Sequence, residues 1–119
     1  MATANDDPKT ISLKIPPHSI EAERSVLGGL MLDEDAWDAV AGIVTPEDFY
    51  LNHHRIIFRC MGDLTEKNKP LDIVTISESL DLLNELDGVG GLAYLSDLAS
   101  GTPTASNIKA YADIVSERA

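Results

Sequence analysis

Apolar residues recur every three or four positions along most of this chain, and this spacing limits its possible folds more than any other feature. Side chains at that spacing share one face of an α-helix. Glycine, proline and capping residues interrupt the pattern often, so each helix must be short. The sequence therefore predicts an all-α fold, a compact orthogonal bundle of about six short helices.

The length and composition are those of a single domain. A chain of 119 residues, 44% of them hydrophobic, has enough apolar material for one core. Residues 1–15 are poor in large apolar groups, and Pro16-Pro17 favours an extended backbone. We therefore expect a flexible N-terminal tail at residues 1–15 and a helical domain at residues 16–119.

Local signals predict where the helices begin. Ser19 is a suitable N-cap for a first helix that runs to about Leu32, with Glu21 and Glu23 in the first turn, where the helix dipole favours anions. The starts predicted for the other helices are Asp33-Glu34-Asp35, Thr45 before Pro46, Asn52, Asp72, the residues after Gly88-Val89-Gly90-Gly91, and about Ser106.

The apolar faces of these helices supply the predicted core. Trp37 is assigned to it, and Ile73, Ile76, Leu80 and Leu83 predict a narrow apolar seam on the helix that follows Asp72. The last helix meets no stop signal after Arg118. We expect that helix to continue in a longer protein.

Glycine pairs mark two points of the chain. In a helix interior each glycine costs about 1 kcal/mol relative to alanine, so Gly28-Gly29 indicates either a close approach of another backbone or a tolerated weak spot. The run Gly88 to Gly91 predicts a loop with positive φ angles before a helix. It does not match G-x-G-x-x-G, because Ala93 occupies the third glycine position, so we expect no nucleotide site there.

The charge balance argues against a nucleic-acid-binding module. Nine Lys and Arg residues face 20 Asp and Glu residues, a net charge of -11, which repels phosphates. The single cysteine cannot form an internal disulfide, no apolar run reaches the length of a membrane span, and no signal peptide is visible. We expect a cytoplasmic protein with no membrane contact.

The charges are also segregated along the sequence. Residues 33–48 and 70–108 each contain six acidic residues and no Lys or Arg, whereas Arg55, Arg59, Lys67 and Lys69 cluster on and just after the helix predicted to begin at Asn52. Separated fields of this kind can orient neighbouring copies or a basic partner, although ordinary surface variation is the alternative.

The candidate metal ligands do not form a site. Adjacent histidines on a helix point about 100° apart, whereas a helical metal site needs ligands at i and i+4. We therefore predict that His53 and His54 are solvated residues of a first turn, that His18 is no ligand, and that Cys60 is a buried thiol on an apolar face.

Several blocks of sequence, in order, resemble the amino-terminal domain of the bacterial replicative DNA helicases of the DnaB family. The blocks are Pro16-Pro17-His18-Ser19-Ile20-Glu21-Ala22-Glu23, Ser25-Val26-Leu27-Gly28-Gly29-Leu30, Glu47-Asp48-Phe49-Tyr50, His54-Arg55-Ile56-Ile57-Phe58, Asp72-Ile73-Val74-Thr75, Val89-Gly90-Gly91-Leu92-Ala93-Tyr94-Leu95 and Asn107-Ile108-Lys109-Ala110-Tyr111-Ala112-Asp113-Ile114-Val115. The resemblance extends over about residues 16–119.

This resemblance implies a head domain of a hexameric helicase. In that family such domains pair and form a collar that receives the primase, and a replication initiator or helicase loader is a further potential partner. The family's ATP and magnesium site and its DNA-contacting loops belong to a RecA-like carboxyl-terminal domain that this sequence lacks. The resemblance therefore implies no catalytic residue, cofactor or direct DNA binding for this chain. It also implies a helical hairpin, beyond the equivalent of Ala119, that supports much of the pairing.

Tyr94 is the candidate contact with a partner, because a tyrosine offers both apolar area and a hydroxyl. Glu21, Glu23 and Asp97 are expected to flank it with charge. The alternative is that Tyr94 is a half-buried packing residue.

Two other classes of function remain for comparison. A helix-turn-helix nucleic-acid-binding domain is also small and all-α, but only the basic cluster from Arg55 to Lys69 could serve it. A small independent enzyme would need a convergent catalytic site, which the sequence does not show.

Overall fold

A computed structural model describes residues 17–102 and 104–119, with side chains from Ile20 onward. The predicted tail at residues 1–15 lies outside the described residues. Within them the chain forms six α-helices and no strand: α1 (Pro17–Leu32), α2 (Trp37–Ala41), α3 (Asn52–Glu66), α4 (Ile73–Leu82), α5 (Gly91–Ser100) and α6 (Ile108–Glu117). Short 3₁₀ turns at Glu34–Ala36, Pro46–Asp48 and Asp87–Val89 lie between them. The all-α prediction is confirmed.

Helix α1 is the central element, and it packs mainly against α6 and α5. Its glycines explain how closely it does so. A Cβ on Gly28 would lie 2.2 Å from both the carbonyl oxygen of Leu98 and the hydroxyl of Thr102, and one on Gly29 would lie 2.8 Å from Ile108 Cδ1. Of the two interpretations of this pair, close approach of another backbone is therefore the correct one for Gly28.

The core lies along the buried faces of these helices. Its largest fully buried apolar side chains are Phe49, Leu27, Leu30, Ile57, Met61, Leu71, Ile76, Leu80, Leu95 and Leu98. Trp37 is partly buried and packs on this core, with its ring 4.8 Å from that of Phe58. Cys60 is buried, as predicted.

Several predicted starts are confirmed by hydrogen bonds. Asp72 caps α4, because its Oδ1 accepts from the backbone N–H of Thr75 at 2.7 Å. The backbone N–H of Thr45 donates to Asp48 Oδ2 at 2.9 Å, which is half of a capping box around the Pro46–Asp48 turn. Gly90 and Gly91 have φ angles of +109° and +72°, as expected for the turn before α5.

Other predicted starts are wrong by a few residues. Helix α1 begins at Pro17, so Ser19 lies inside it instead of capping it, and Glu21 and Glu23 fall in its second turn. Proline suits this position because its fixed φ is helical and its missing N–H is not needed there. At α3 the N-cap is Leu51, and Asn52 is the first helical residue.

The predicted apolar seam of α4 is only partly buried. Ile76 and Leu80 are in the core, but Leu83 is 59% exposed because the helix ends at Leu82 and the chain turns away at Asn84, whose φ is +58°. Leu92, at the start of α5, is 53% exposed.

Candidate functional site

Tyr94 lies on α5, one turn after the Gly90-Gly91 turn, and is partly buried. Arg24 of α1 covers it: the guanidinium carbon lies 5.4 Å from the centre of the tyrosine ring, and Nη1 donates to the tyrosine hydroxyl at 3.3 Å. A Cβ on Gly90 would lie 2.6 Å from Tyr94 Cβ. The left-handed glycine therefore leaves the room that this tyrosine occupies.

Glu21 and Asp97, the two other residues predicted to flank Tyr94, lie near Arg24. Both are exposed, and together with Arg24 they line a cleft of about 290 Å³ between α1 and α5. Arg24 joins the cleft to the tyrosine, since it contacts both. We call the surface formed by Glu21, Arg24, Tyr94 and Asp97 the α1–α5 surface.

Glu23 does not lie on this surface, which corrects its predicted position. It is only 1% exposed, and its carboxylate turns inward to α3. There Oε2 accepts from the backbone N–H of Tyr50 at 2.6 Å, and Oε1 accepts from that of Leu51 at 3.4 Å. These are the backbone donors just before α3, so Glu23 satisfies groups that the incoming chain would otherwise bury unpaired.

His54 is the second buried polar residue at this point, and the prediction that it is solvated is wrong. It has no exposed surface, and its Nδ1 lies 2.7 Å from Glu23 Oε1. Its Nε2 lies 2.5 Å from the Tyr94 hydroxyl. A continuous chain of hydrogen bonds therefore runs from the start of α3, through Glu23 and His54, to Tyr94 and Arg24.

Burial shifts the pKa of two groups at this point, His53 and Tyr94. Burial lowers the pKa of His53, and the neighbouring His54 lowers it further. Burial likewise raises the pKa of Tyr94, against the opposing effect of Arg24. At neutral pH the His53 ring is thus uncharged and the phenol keeps its proton.

His54 and Arg24 are the two participants that sequence reasoning missed. For the two buried groups, Glu23 and His54, the helical register of the sequence contained a signal. Glu23 shares a helix face with Val26, Leu27 and Leu30, and His54 shares one with Ile57, Phe58 and Met61, each at steps of three, four and seven. A polar residue in a core register needs a buried partner.

The described residues show no cluster that suits a metal ion. No group of three or more His, Cys, Asp or Glu residues among them could hold one. Both ring nitrogens of His54 are within hydrogen-bond distance of Glu23 or Tyr94, and burial raises the pKa of the Cys60 thiol. Between residues 17 and 119, leaving out position 103, no helix has the length and apolar character needed to cross a bilayer.

The basic cluster is partly engaged within the domain. Arg55 Nε donates to the carbonyl oxygen of Phe49 at 2.6 Å. Arg59 pairs with Glu47 at 3.5 Å, with both side chains more than half exposed. Lys67 and Lys69 are exposed at the end of α3. With these contacts, the four basic residues do not form an extended row of free cations that could face a phosphate backbone.

The sequence matches a known family along most of its length. Residues 15–117 match the model of the DnaB-like helicase N terminal domain. The chain is 48% identical over 115 residues to the replicative DNA helicase DnaB of Haemophilus influenzae, a match that covers 97% of this chain and 25% of that protein. It thus spans about a quarter of the length of this curated relative.

Two solved structures have the same fold. One is the crystal structure of the N-terminal domain of DnaB helicase from Mycobacterium tuberculosis, with a TM-score of 0.79 and 41% identity over 82% of this chain and 67% of that chain. The other, described as a DnaB-like replicative helicase and its interactions with primase, gives a TM-score of 0.72 and 29% identity over 81% of this chain and 22% of that one.

Proposed function

This chain belongs to the family of DnaB-like helicase N-terminal domains, and from that membership we propose that it is the protein-interaction and assembly domain of a hexameric replicative helicase. In this role it helps to form the N-terminal collar of the ring and engages primase during chromosome replication in the cytoplasm. The observation that carries the proposal is the match of residues 15–117 to the family, together with the 48% identity to a replicative helicase.

The length of the match indicates which activities lie outside this chain. The chain corresponds to a quarter of its helicase relative, so we place ATP hydrolysis, magnesium and DNA contact in the remaining three quarters. We assign the interaction domain to residues 16–119. A replication initiator or helicase loader is a further partner that this domain can meet.

We assign primase binding to the α1–α5 surface. Tyr94 offers a ring and a hydroxyl there, held by Arg24, while Glu21 and Asp97 supply negative charge at the edge of the cleft. A central aromatic residue within a charged rim is the usual anatomy of a protein-binding site. Glu23 supports this surface from below through His54.

The test compares primase binding by the full-length helicase and by its Tyr94→Ala variant. We expect about a tenfold or greater loss of affinity, the usual effect of removing a tyrosine anchor. Leu82→Ala is the matched control, because Leu82 is 82% exposed at the end of α4 and does not line the cleft. Unchanged affinity for Tyr94→Ala in a folded ring would remove Tyr94 from the primase site.

The alternative is a helical nucleic-acid-binding domain. A titration of the 119-residue chain with single-stranded and duplex DNA at low salt separates the two functions. Tight binding that weakens steeply with salt would favour the alternative. The net charge of -11 and the internal contacts of Arg55 and Arg59 lead us to expect no such binding.

A further inference from the structure

The buried pair Glu23–His54 only supports the surface in the proposed function, but its hydrogen bonds determine which atoms donate and which accept. Both carboxylate oxygens of Glu23 accept from backbone N–H groups, those of Tyr50 and Leu51, which can only donate. The remaining neighbour of Oε1 is His54 Nδ1, at 2.7 Å. Since the carboxylate acts as an acceptor, Nδ1 must carry a hydrogen and donate it.

This bond determines the state of the other ring nitrogen. An imidazolium would donate from both nitrogens, whereas a neutral imidazole with its hydrogen on Nδ1 has a bare Nε2, which can only accept. The Tyr94 hydroxyl, 2.5 Å from Nε2, is then the donor. Burial raises the pKa of Tyr94, so the phenol has a proton to give at neutral pH.

The direction of every bond in the chain follows. Arg24 Nη1 donates to the Tyr94 oxygen, the Tyr94 hydroxyl donates to His54, and His54 donates to Glu23. The hydroxyl hydrogen of Tyr94 therefore points into the domain. Arg24 takes one lone pair of the tyrosine oxygen, so the group left for a partner is the remaining lone pair.

We propose that the Glu23–His54 pair, with a neutral imidazole, fixes Tyr94 as a hydrogen-bond acceptor, so that the partner group that docks on its hydroxyl is a donor, an amide, ammonium or guanidinium group. This inference rests on the proposed role of the α1–α5 surface in partner binding. It adds the chemical class of the contacting group. The two exposed carboxylates of Glu21 and Asp97 also act only as acceptors and outnumber the single guanidinium of Arg24, so the surface favours a donor that carries positive charge.

The tautomer of His54 can be measured directly on the 119-residue chain by nitrogen-15 NMR of its imidazole ring. We expect a protonated Nδ1 and an unprotonated Nε2 at neutral pH. The opposite tautomer, or a ring protonated on both nitrogens, would mean that the ring donates to Tyr94, leaving the hydrogen of the tyrosine hydroxyl free to face the partner. That result would overturn the proposal.

Primase binding by the full-length helicase tests the consequence for the partner. Tyr94→Phe keeps the ring and removes only the hydroxyl, and we expect about a tenfold loss of affinity, as for a hydrogen bond from a charged donor. Tyr111→Phe, which removes a tyrosine hydroxyl on α6, is the matched control. If Tyr94→Ala weakens binding and Tyr94→Phe does not, the surface is correct and the acceptor role is wrong. If neither weakens binding, both proposals fail.

A positioning role for Glu23 predicts that its effect depends on the hydroxyl. We expect Glu23→Gln to weaken binding several-fold in the otherwise native helicase. The amide has a single acceptor oxygen, so its NH2 group must face either the Tyr50 N–H or His54 Nδ1–H, and the imidazole is no longer held in place. Combined with Tyr94→Phe, it should cause no further loss, since the hydroxyl through which it acts is absent. Additive losses would show a merely structural effect and contradict the positioning role.

Discussion

At the scale of single residues, the molecule keeps two polar side chains where apolar ones would be expected. Burying a carboxylate and an imidazole costs free energy unless each finds partners. Glu23 finds two backbone N–H groups and His54, and His54 finds Glu23 and Tyr94. Because these partners come from α1, α3 and α5, the network also fixes the relative positions of three helices.

The same network predicts that substituting His54 lowers the stability of the domain more than substituting its neighbour His53. His54→Ala leaves the Glu23 carboxylate buried without its side-chain partner, and we expect the free energy of unfolding to fall by about 3 kcal/mol. His53→Ala removes a partly exposed ring that packs by its edge on Tyr94, and we expect a loss of about 1 kcal/mol or less. Urea unfolding at pH 7 measures both. Equal losses would contradict the structural role given to His54.

At the scale of elements, glycine in α1 trades helix propensity for close packing. A Cβ on Gly28 would meet the backbone of α5 and the Thr102 hydroxyl, whereas a Cβ on Gly62 of α3 would lie an ordinary contact distance of 3.5 Å from the edge of the Trp37 ring. Both lie inside helices. Their different surroundings predict opposite responses to the same substitution.

We expect Gly28→Ala to lower the free energy of unfolding by about 3 kcal/mol, because the new methyl group cannot avoid the Leu98 carbonyl unless the helices separate. Gly62→Ala should leave stability unchanged or raise it by up to about 1 kcal/mol, the gain in helix propensity. Thermal unfolding of the two variants beside the native chain gives the comparison. A stabilising Gly28→Ala would show that α1 and α5 are not in close contact.

Capping gives a second matched pair of positions. The hydrogen bond from the Thr75 backbone lowers the pKa of Asp72, so the stability that this carboxylate adds to α4 is complete above its unfolded pKa of about 3.9. That stability is lost as the pH falls through the lowered pKa. Asn52 makes no comparable cap, since the N-cap of α3 is Leu51.

From this we expect Asp72→Ala to cost about 1 kcal/mol at pH 7, and the difference from the native chain to stay constant down to about pH 5 and to shrink below about pH 4. Asn52→Ala should change stability little at either pH. Unfolding by urea at a series of pH values measures the difference. If the stability difference between the native chain and Asp72→Ala increased as the pH fell, Asp72 would not stabilise α4 as an anion.

These elements show what the sequence could predict. The Asp72 cap and the Gly90-Gly91 turn depend on residues a few positions apart, and both were predictable. The bond between Glu23 and His54 joins positions 31 apart. Which polar side chains meet in a core depends on how three helices pack, and the local pattern does not contain that information.

At the scale of the whole molecule, the net charge of -11 opposes the approach of a second copy. Apolar area must offset that repulsion before two heads associate. Within the described part of the chain, the exposed large apolar side chains are Leu32, Tyr50, Val74, Leu82, Leu83 and Leu92. They lie on α1, on α4 and the residue after it, on α5 and in the segment before α3, so they do not all belong to one helix face.

We therefore expect the 119-residue chain to be a monomer and a version extended through the helices that follow it in the parent helicase to pair. The resemblance to the DnaB family assigns the pairing to a helical hairpin after Ala119, whose apolar faces would supply the missing area. Light scattering of both proteins at matched concentrations, in low and moderate salt, measures their mass. A short chain that is already a dimer at micromolar concentration would place self-association in the head itself. In that case Leu82 and Leu83, at the end of α4, would be the first residues to substitute, because they would supply apolar area that offsets the repulsion between two negatively charged copies.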